Sequence, residues 1–374
     1  MTELSFDGQI PPAPARFTKT MGYPLPPEPP RVKTVYDGWG RYKLPAPKTG
    51  RPTAFTRSTT IASTLDDTYN LNRWKRRETA KNVIQAGEEI QTVRADLFEA
   101  LQEAIRAESK SGIDKALDAI DNACGGRDAA ELGEAVHAWL EALDLGAVLL
   151  HQIPEQFQPY AVSYQSVLAR YGLVAEPEYV ERIVLNDRGE ATIAGTLDRI
   201  YRVVSTGELI LGDVKTSKTL EHSYLTYAIQ LAVYGYATKI LATDGSGWEP
   251  MPEINQQYAV ILHVPSDQPE RGDLVTIDLW QGGEGMMAAL EVRRRRSEAT
   301  KKIPFLHAVP VPTEEALRHV EARQALQNVP HAEAVSDVWA QFADVWSDEL
   351  TALGEQVIEV LTQANAQAHA EQEQ

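Results

Sequence analysis

The sequence predicts an α/β protein with a central mixed β-sheet flanked by helices, preceded by a helical region and followed by a helical tail. Three observations predict it. Residues 53–150 place apolar side chains at helical spacing, as in LNRWKRRETAKNVIQ. Residues 151–312 change texture to short β-rich segments, EYVERIVL, ATIAGTLDRIYRVV and ELILGDVKT. The turn signals Asn186-Asp187-Arg188-Gly189 and Ser205-Thr206-Gly207 separate them. From Thr313 the chain is acidic, rich in Ala and Gln, and helical in spacing again. A chain of 374 residues is long enough for one large domain or two ordinary ones. The expected division is an arm (1–52), a core domain (53–312, helical to 150 and αβ thereafter) and a tail (313–374).

The arm holds 11 of the 22 prolines, in stretches such as PPAPA and PLPPEPPR. Proline fixes φ and removes a backbone donor, so the arm is expected to be extended and loosely ordered, or laid over the body. Its removal is expected to leave the core folded. Interleaved aromatics (Phe17, Tyr23, Tyr36, Trp39, Tyr42) suit docking on a surface. From about Thr53 the pattern reads as helical, with Ser58 or Thr59 as N-cap and breaks at Ser111-Gly112 and Gly125-Gly126. After the β-rich segments a helix is expected over about 221–241, then the strands QQYAVILHVP and LVTIDLW, then the helix MMAALEVRRRRSEAT. In the tail, Val335, Val338, Trp339, Phe342, Val345, Trp346 and Leu350 form an apolar stripe suited to docking on the chain's own body or on a second copy.

One cysteine, Cys124, excludes an internal disulfide framework, a Cys-rich zinc site and an all-cysteine iron–sulphur site within one chain. No apolar run approaches a bilayer's thickness and no signal-peptide h-region is seen, so a reducing, cytoplasmic setting and no membrane partner are expected. The net charge of −17 at first disfavours a nucleic-acid partner. The tail alone carries −10 of it, whereas residues 1–52 are net basic and the runs Arg73-Trp74-Lys75-Arg76-Arg77 and Arg293–Arg296 are concentrated cations. Local fields, not the sum, attract a polyanion, although either run also suits a solvated helix face.

The stretch LGDVKT places Asp213 and Lys215 two residues apart on an apolar strand, where both charges need a partner, a metal or a substrate. Pairing Ser205 with Glu208 across a turn sets Asp198 opposite Lys215 and brings Asp198, Asp213 and Lys215 to one face. Two carboxylates so placed repel unless a divalent cation lies between them, and hard oxygen donors suit Mg²⁺ or Mn²⁺. Phosphodiester hydrolysis is a natural task for such a site, with Lys215 orienting the nucleophile or neutralising developing charge. An acidic-x-Lys tripeptide alone means little: Glu108-Ser109-Lys110 is another, on a polar helical stretch.

The succession Gly195-Thr196-Leu197-Asp198, then Asp213-Val214-Lys215-Thr216, then Gln230-Leu231-Ala232-Val233-Tyr234 resembles the RecB-like branch of the PD-(D/E)XK nucleases, which includes phage exonucleases and CRISPR-associated exonucleases. The upstream GEAVHAWLE matches that branch's G-x-x-x-H helix, with Gly133 and His137. The likeness covers about residues 53–300. It implies a restriction-endonuclease-like core, with His137, Asp198, Asp213 and the carbonyl of Val214 binding Mg²⁺ or Mn²⁺. It further implies Lys215, Asp213 and Asp198 as catalytic, Gln230 and Tyr234 along the DNA path, and Glu181 as an acidic position on the first core strand, near substrate. By the resemblance the chain would be a stand-alone exonuclease on linear duplex ends, in phage-type recombination or DNA processing. A single-strand annealing protein and further copies of the chain are the expected partners. The family's cluster cysteines are absent, so no iron–sulphur cluster is expected, and no GxxxxGK[ST] suggests a motor. An endonuclease of the same fold, or a binding module with its chemistry unused, are the other readings. Tyr224, Tyr227 and Tyr236 read as core or groove wall, and Cys124 as a loop residue.

Overall fold

The computed structural model describes residues 15–189, 191–301 and 311–372. The chain opens with a two-stranded ribbon, β1 (Arg16–Phe17) and β2 (Pro24–Leu25), then β3 (Tyr42–Pro45) and β4 (Pro52–Arg57). Helices follow: α1 (Ser58–Ala62), α2 (Tyr69–Glu88), α3 (Val93–Arg106), α4 (Lys110–Ala123), α5 (Asp128–Asp144) and α6 (Gln158–Tyr171). The αβ part comprises β5 (Leu173–Ala175), β6 (Arg182–Asn186), β7 (Ile193–Leu197), β8 (Arg199–Val203), β9 (Leu209–Lys215) and α7 (Tyr224–Gly235). It continues with β10 (Lys239–Leu241), β11 (Trp248–Pro250), β12 (Tyr258–His263), β13 (Asp273–Asp278) and α8 (Leu279–Thr300). The last helices are α9 (Glu314–Gln327), α10 (Val335–Gln341) and α11 (Asp348–Gln372).

The architecture is α/β, with mixed sheet flanked by helices. Strands β11-β10-β6-β7-β4-β3 form one sheet and β13-β12-β9-β8-β5 the other; β4–β7 and β9–β12 are parallel pairs, the remainder antiparallel. Asp198 is the single residue between β7 in the first sheet and β8 in the second, so the chain crosses from sheet to sheet at that carboxylate. Alternation in β9 explains its two-sided burial. Ile210 and Val214 pack with Val136, Leu140 and Tyr164 of α5 and α6, while Leu211 packs with Ile229 and Val233 of α7. Asp213 and Lys215 share the parity of Leu211.

Several expectations change. Residues 52–57 are a strand, not the start of a helix: Phe55 faces the core, and β4 is flanked by β3 and β7. The helix that follows is capped at Arg57 without a side-chain bond, because Ser58 is buried and hydrogen-bonded to Tyr234. The arm lies over the body. Tyr42 and Leu44 of β3 are buried, the Trp139 indole donates to the Pro24 carbonyl at 2.9 Å, and the buried Glu131 carboxylate accepts from the amides of Thr20 and Met21. Pro45 and Pro52 sit opposite each other at the turn end of the β3–β4 hairpin, on the edge strand and its neighbour, where a missing donor costs little. The first helical break falls at Ala107–Ser109 rather than Ser111-Gly112, since the Ser109 hydroxyl caps α4 by accepting from the Gly112 amide. The second falls at Gly125, whose φ of 89° favours glycine, with Cys124 as the C-cap of α4. The expected 221–241 helix ends at Gly235, and Lys239–Leu241 become β10 by pairing with β6 and β11.

Contacts divide the chain at 297/298 rather than at 312/313. In the C-terminal unit the apolar stripe closes on the unit itself: Ala322, Leu326, Val335, Val338, Phe342 and Leu350 are buried together, with Val345 and Trp346 packed against them. Among the described residues no helix is long and apolar enough to cross a membrane.

Candidate metal centre

Helix α5 presents one functional face. Gly133, His137, Glu141 and Asp144 recur at spacings of four, four and three, so they line a single stripe. A Cβ at Gly133 would lie 3.0 Å from Thr216 Oγ1, so the helix approaches the end of β9 closely. His137 Nδ1 lies 3.6 Å from Asp198 Oδ2. Asp198 is held in turn by the Val214 amide, which donates to Oδ2 at 3.1 Å. The Val214 carbonyl faces the His137 ring.

Donor atoms of His137, Glu181 and Asp198 all lie within 4.8 Å of one another. Among the described residues this is the group with the makeup of a metal site. Glu181, expected near substrate, therefore stands among these donor atoms. Its φ of 51° is a left-handed conformation that a glutamate rarely adopts, and its amide donates to the Asp198 carbonyl at 2.8 Å. Asp213 stands beside the group rather than in it: its Oδ2 lies 2.6 Å from the Lys215 ammonium, an ionic contact outside good hydrogen-bond alignment.

The hairpin register differs from the expected one by two residues. Arg199 pairs with Gly212, and the Val203 amide donates to the Glu208 carbonyl, so the turn is Val204–Gly207, with Gly207 at φ 76°. Extending that register sets Asp198 level with Asp213, not Lys215. An even shift preserves the side-chain face, so Asp198, Asp213 and Lys215 still converge.

Burial and mutual repulsion set the clustered carboxyls apart in their titration. Burial, and then the Asp198 charge, push the Asp213 carboxyl up to about 7 and Glu181 up to about 8. Asp198 is the ionised member: burial opposes its charge, but His137, Lys215, Arg199 and the Val214 amide together hold it below the usual carboxylate range. Burial lowers the half-buried His137 imidazole to about 4, leaving it neutral and able to ligate. For Lys215 burial is outweighed by Asp213 and Asp198, so its pKa rises and it stays charged. A divalent cation fits this set: one neutral imidazole and two clustered carboxylates, one of them held protonated by burial and its neighbour's charge.

A second layer escaped the motif reading. Arg199 is fully buried; its Nε donates to Asp144 Oδ2 at 2.9 Å and its Nη1 lies 3.5 Å from Glu181 Oε1. Asp144 also accepts from the Tyr164 hydroxyl at 2.9 Å, and Tyr164 and Tyr201 share a hydrogen bond. Arg31 from the arm lies 3.0 Å from Glu141 and 3.9 Å from Glu181. The signals were an arginine inside the apolar strand Arg199–Val203 and the acidic positions in register with His137 on α5.

Gln230 and Tyr234 do sit one turn apart on α7, the Gln230 amide donating to the Tyr234 hydroxyl at 3.0 Å. Tyr234 is only 2% exposed and also bonds Ser58, so it anchors α7 and holds Gln230; it does not line an open path. Tyr227 lies under the Lys215 ammonium, 5.2 Å from ring centroid to nitrogen. Glu108-Ser109-Lys110 falls in the α3–α4 connection and the first turn of α4, outside the sheet. No protein-family model and no curated protein matches the chain.

Proposed function

We propose that the protein is a metal-dependent deoxyribonuclease that hydrolyses phosphodiester bonds at the ends of linear duplex DNA. The observation that carries the reading is the His137–Glu181–Asp198 donor group beside the Asp213–Lys215 pair. His137, Glu181 and Asp198 would hold Mg²⁺ or Mn²⁺, with Asp213 and the Val214 carbonyl adjacent. When bound, the ion supplies Lewis-acid polarisation of a phosphoryl oxygen and a more acidic water. Lys215 stays protonated, so it serves as a fixed cation that orients the attacking water or balances charge on the phosphorane, not as a general base. Asp213 holds that ammonium in place. Tyr234 anchors α7 and holds Gln230, while the pattern resembling the RecB-like nucleases supplies the substrate class.

Digestion of end-labelled linear duplex and of covalently closed circular DNA with Mg²⁺ or Mn²⁺ tests this. Release of label from the linear form with the circle intact is expected; nicking of the circle would instead make the enzyme an endonuclease. Asp213→Ala and Lys215→Ala should each abolish cleavage while the far-ultraviolet spectrum is kept, and wild-type turnover by either would remove the assignment.

A further inference from the structure

Helix α2 is pinned along one side. Thr79 and Asn82 donate to the two carboxylate oxygens of Asp121 at 2.7 and 2.9 Å, and Ala86 is buried with Leu101, Ala116 and Ile120. The opposite side is open to solvent and carries Arg73, Arg77 and Lys81, with Arg76 at its flank and Lys75 nearer α4, all exposed. Glu78 is the only acid between Tyr69 and Lys81, and it pairs with Lys81. Tyr69, Arg73, Arg77 and Lys81 recur every fourth residue, a row of about 18 Å at helical rise. The Arg73 guanidinium lies 5.7 Å from the Tyr69 ring centroid. Tyr69, which begins the row, and Trp74, next to Arg73 in the chain, are 65% and 52% exposed. A shallow groove of about 760 Å³ runs alongside, lined by Lys75, Arg76, Val83, Ile84 and Leu117.

We infer that α2 is a binding surface for single-stranded DNA, separate from the metal centre. So dense a cation row on a chain of net charge −17 fits a polyanion. Exposed aromatics beside the arginines offer stacking faces, which only unpaired bases can use. A protein partner is disfavoured because charged residues are depleted at the centre of protein interfaces. A membrane is disfavoured because Tyr69, Leu71, Trp74 and Ile84 point around the helix and make no single apolar face. The placement goes beyond the nuclease reading, and it suits it: an enzyme degrading one strand of a duplex leaves the other single-stranded.

Anisotropy of a fluorescein-labelled oligothymidylate of about 30 nucleotides, titrated with the full chain in EDTA, isolates this surface from catalysis. Binding is expected, tighter than to a duplex of equal length and to phosphatidylserine vesicles. Arg73→Gln/Arg76→Gln/Arg77→Gln should weaken it about tenfold or more and reduce the slope of log affinity against log salt by about 2. Trp74→Ala should weaken it about fivefold. Both variants replace exposed side chains, and matching melting curves confirm their folding. No binding by the wild type, an unchanged affinity and slope in the triple variant, or preference for vesicles or duplex would each overturn the inference. A wild type that binds this strand but cuts no DNA would overturn the nuclease reading and leave this one standing.

Discussion

Tyr234 lies directly over Gly195: a Cβ built at 195 would sit 2.4 Å from Tyr234 Cε1 and 2.5 Å from Ser58 Oγ. Two motifs distant in sequence are thus one packing unit, and the glycine lets α7 and α1 close on β7 three residues before Asp198. Gly195→Ala should destabilise the fold by about 1–3 kcal/mol, as overpacking does. In a Tyr234→Ala background the same change should cost less. Additive penalties in chemical denaturation would show that the two residues do not press on each other.

Arg199 should be among the most costly positions to truncate. Arg199→Ala leaves the Asp144 carboxylate buried without its guanidinium, a loss of about 3–5 kcal/mol. Asp144→Asn combined with it should recover part of that loss, because the uncompensated charge is removed. A Tm within a degree or two of wild type for Arg199→Ala would contradict the buried pair.

His137→Ala should shift the metal requirement more than the melting point. Glu181 and Asp198 would still hold an ion, so raised Mn²⁺ should restore part of the activity. If the imidazole were only packing, stability alone would fall, by about 1–2 kcal/mol, and the metal titration of cleavage would stay where it was.

Metal binding should strengthen with pH. Asp213 and Glu181 titrate at about 7 and about 8 in the folded chain against ordinary values of 3.8 and 4.5, so the folded state keeps two protons that the unfolded chain has released. Their contribution to stability is present at low pH and is lost as pH rises through 7 to 8. His137 works the other way, its folded value of about 4 lying below 6.5, so its contribution grows as pH rises over that interval. Two carboxyls outweigh one imidazole. Between pH 5 and 7 these three groups therefore make the metal-free protein less stable as pH rises, while an ion held by His137, Glu181 and Asp198 must displace the Glu181 proton to bind. Melting curves in EDTA and in Mn²⁺ should diverge progressively from pH 5 to 8; a gap that does not change with pH would contradict this.

Deleting residues 1–52 should lower the Tm substantially. The deletion removes β3, which buries Tyr42 and Leu44 against the sheet, and strips Glu131 of the Thr20 and Met21 amides that hold its carboxylate down to about 2. A truncated chain with an unchanged melting curve would return the arm to the role its proline content suggests.

What the amino-acid sequence determined alone is the local pattern. Period-two alternation set which face of β9 carries Asp213 and Lys215, and that face survives the two-residue difference in hairpin register because the shift is even. Helical spacing located the helix that carries Gln230 and Tyr234, while His137 was singled out by the resemblance of GEAVHAWLE to the G-x-x-x-H helix. Tertiary structure decided which groups meet. Glu181 enters the donor group because the backbone at its left-handed φ closes onto Asp198, and Arg199 and Arg31 reach it from separate elements, with Asp144 behind Arg199. Strand β3 was hidden for the same reason: prolines are costly inside a sheet but tolerable at its edge, and edge position is a property of the assembled sheet. Local patterning follows from the geometry of a helix or strand, which each segment carries within itself. Partner identity depends on contacts between residues far apart in the chain, which no single segment encodes.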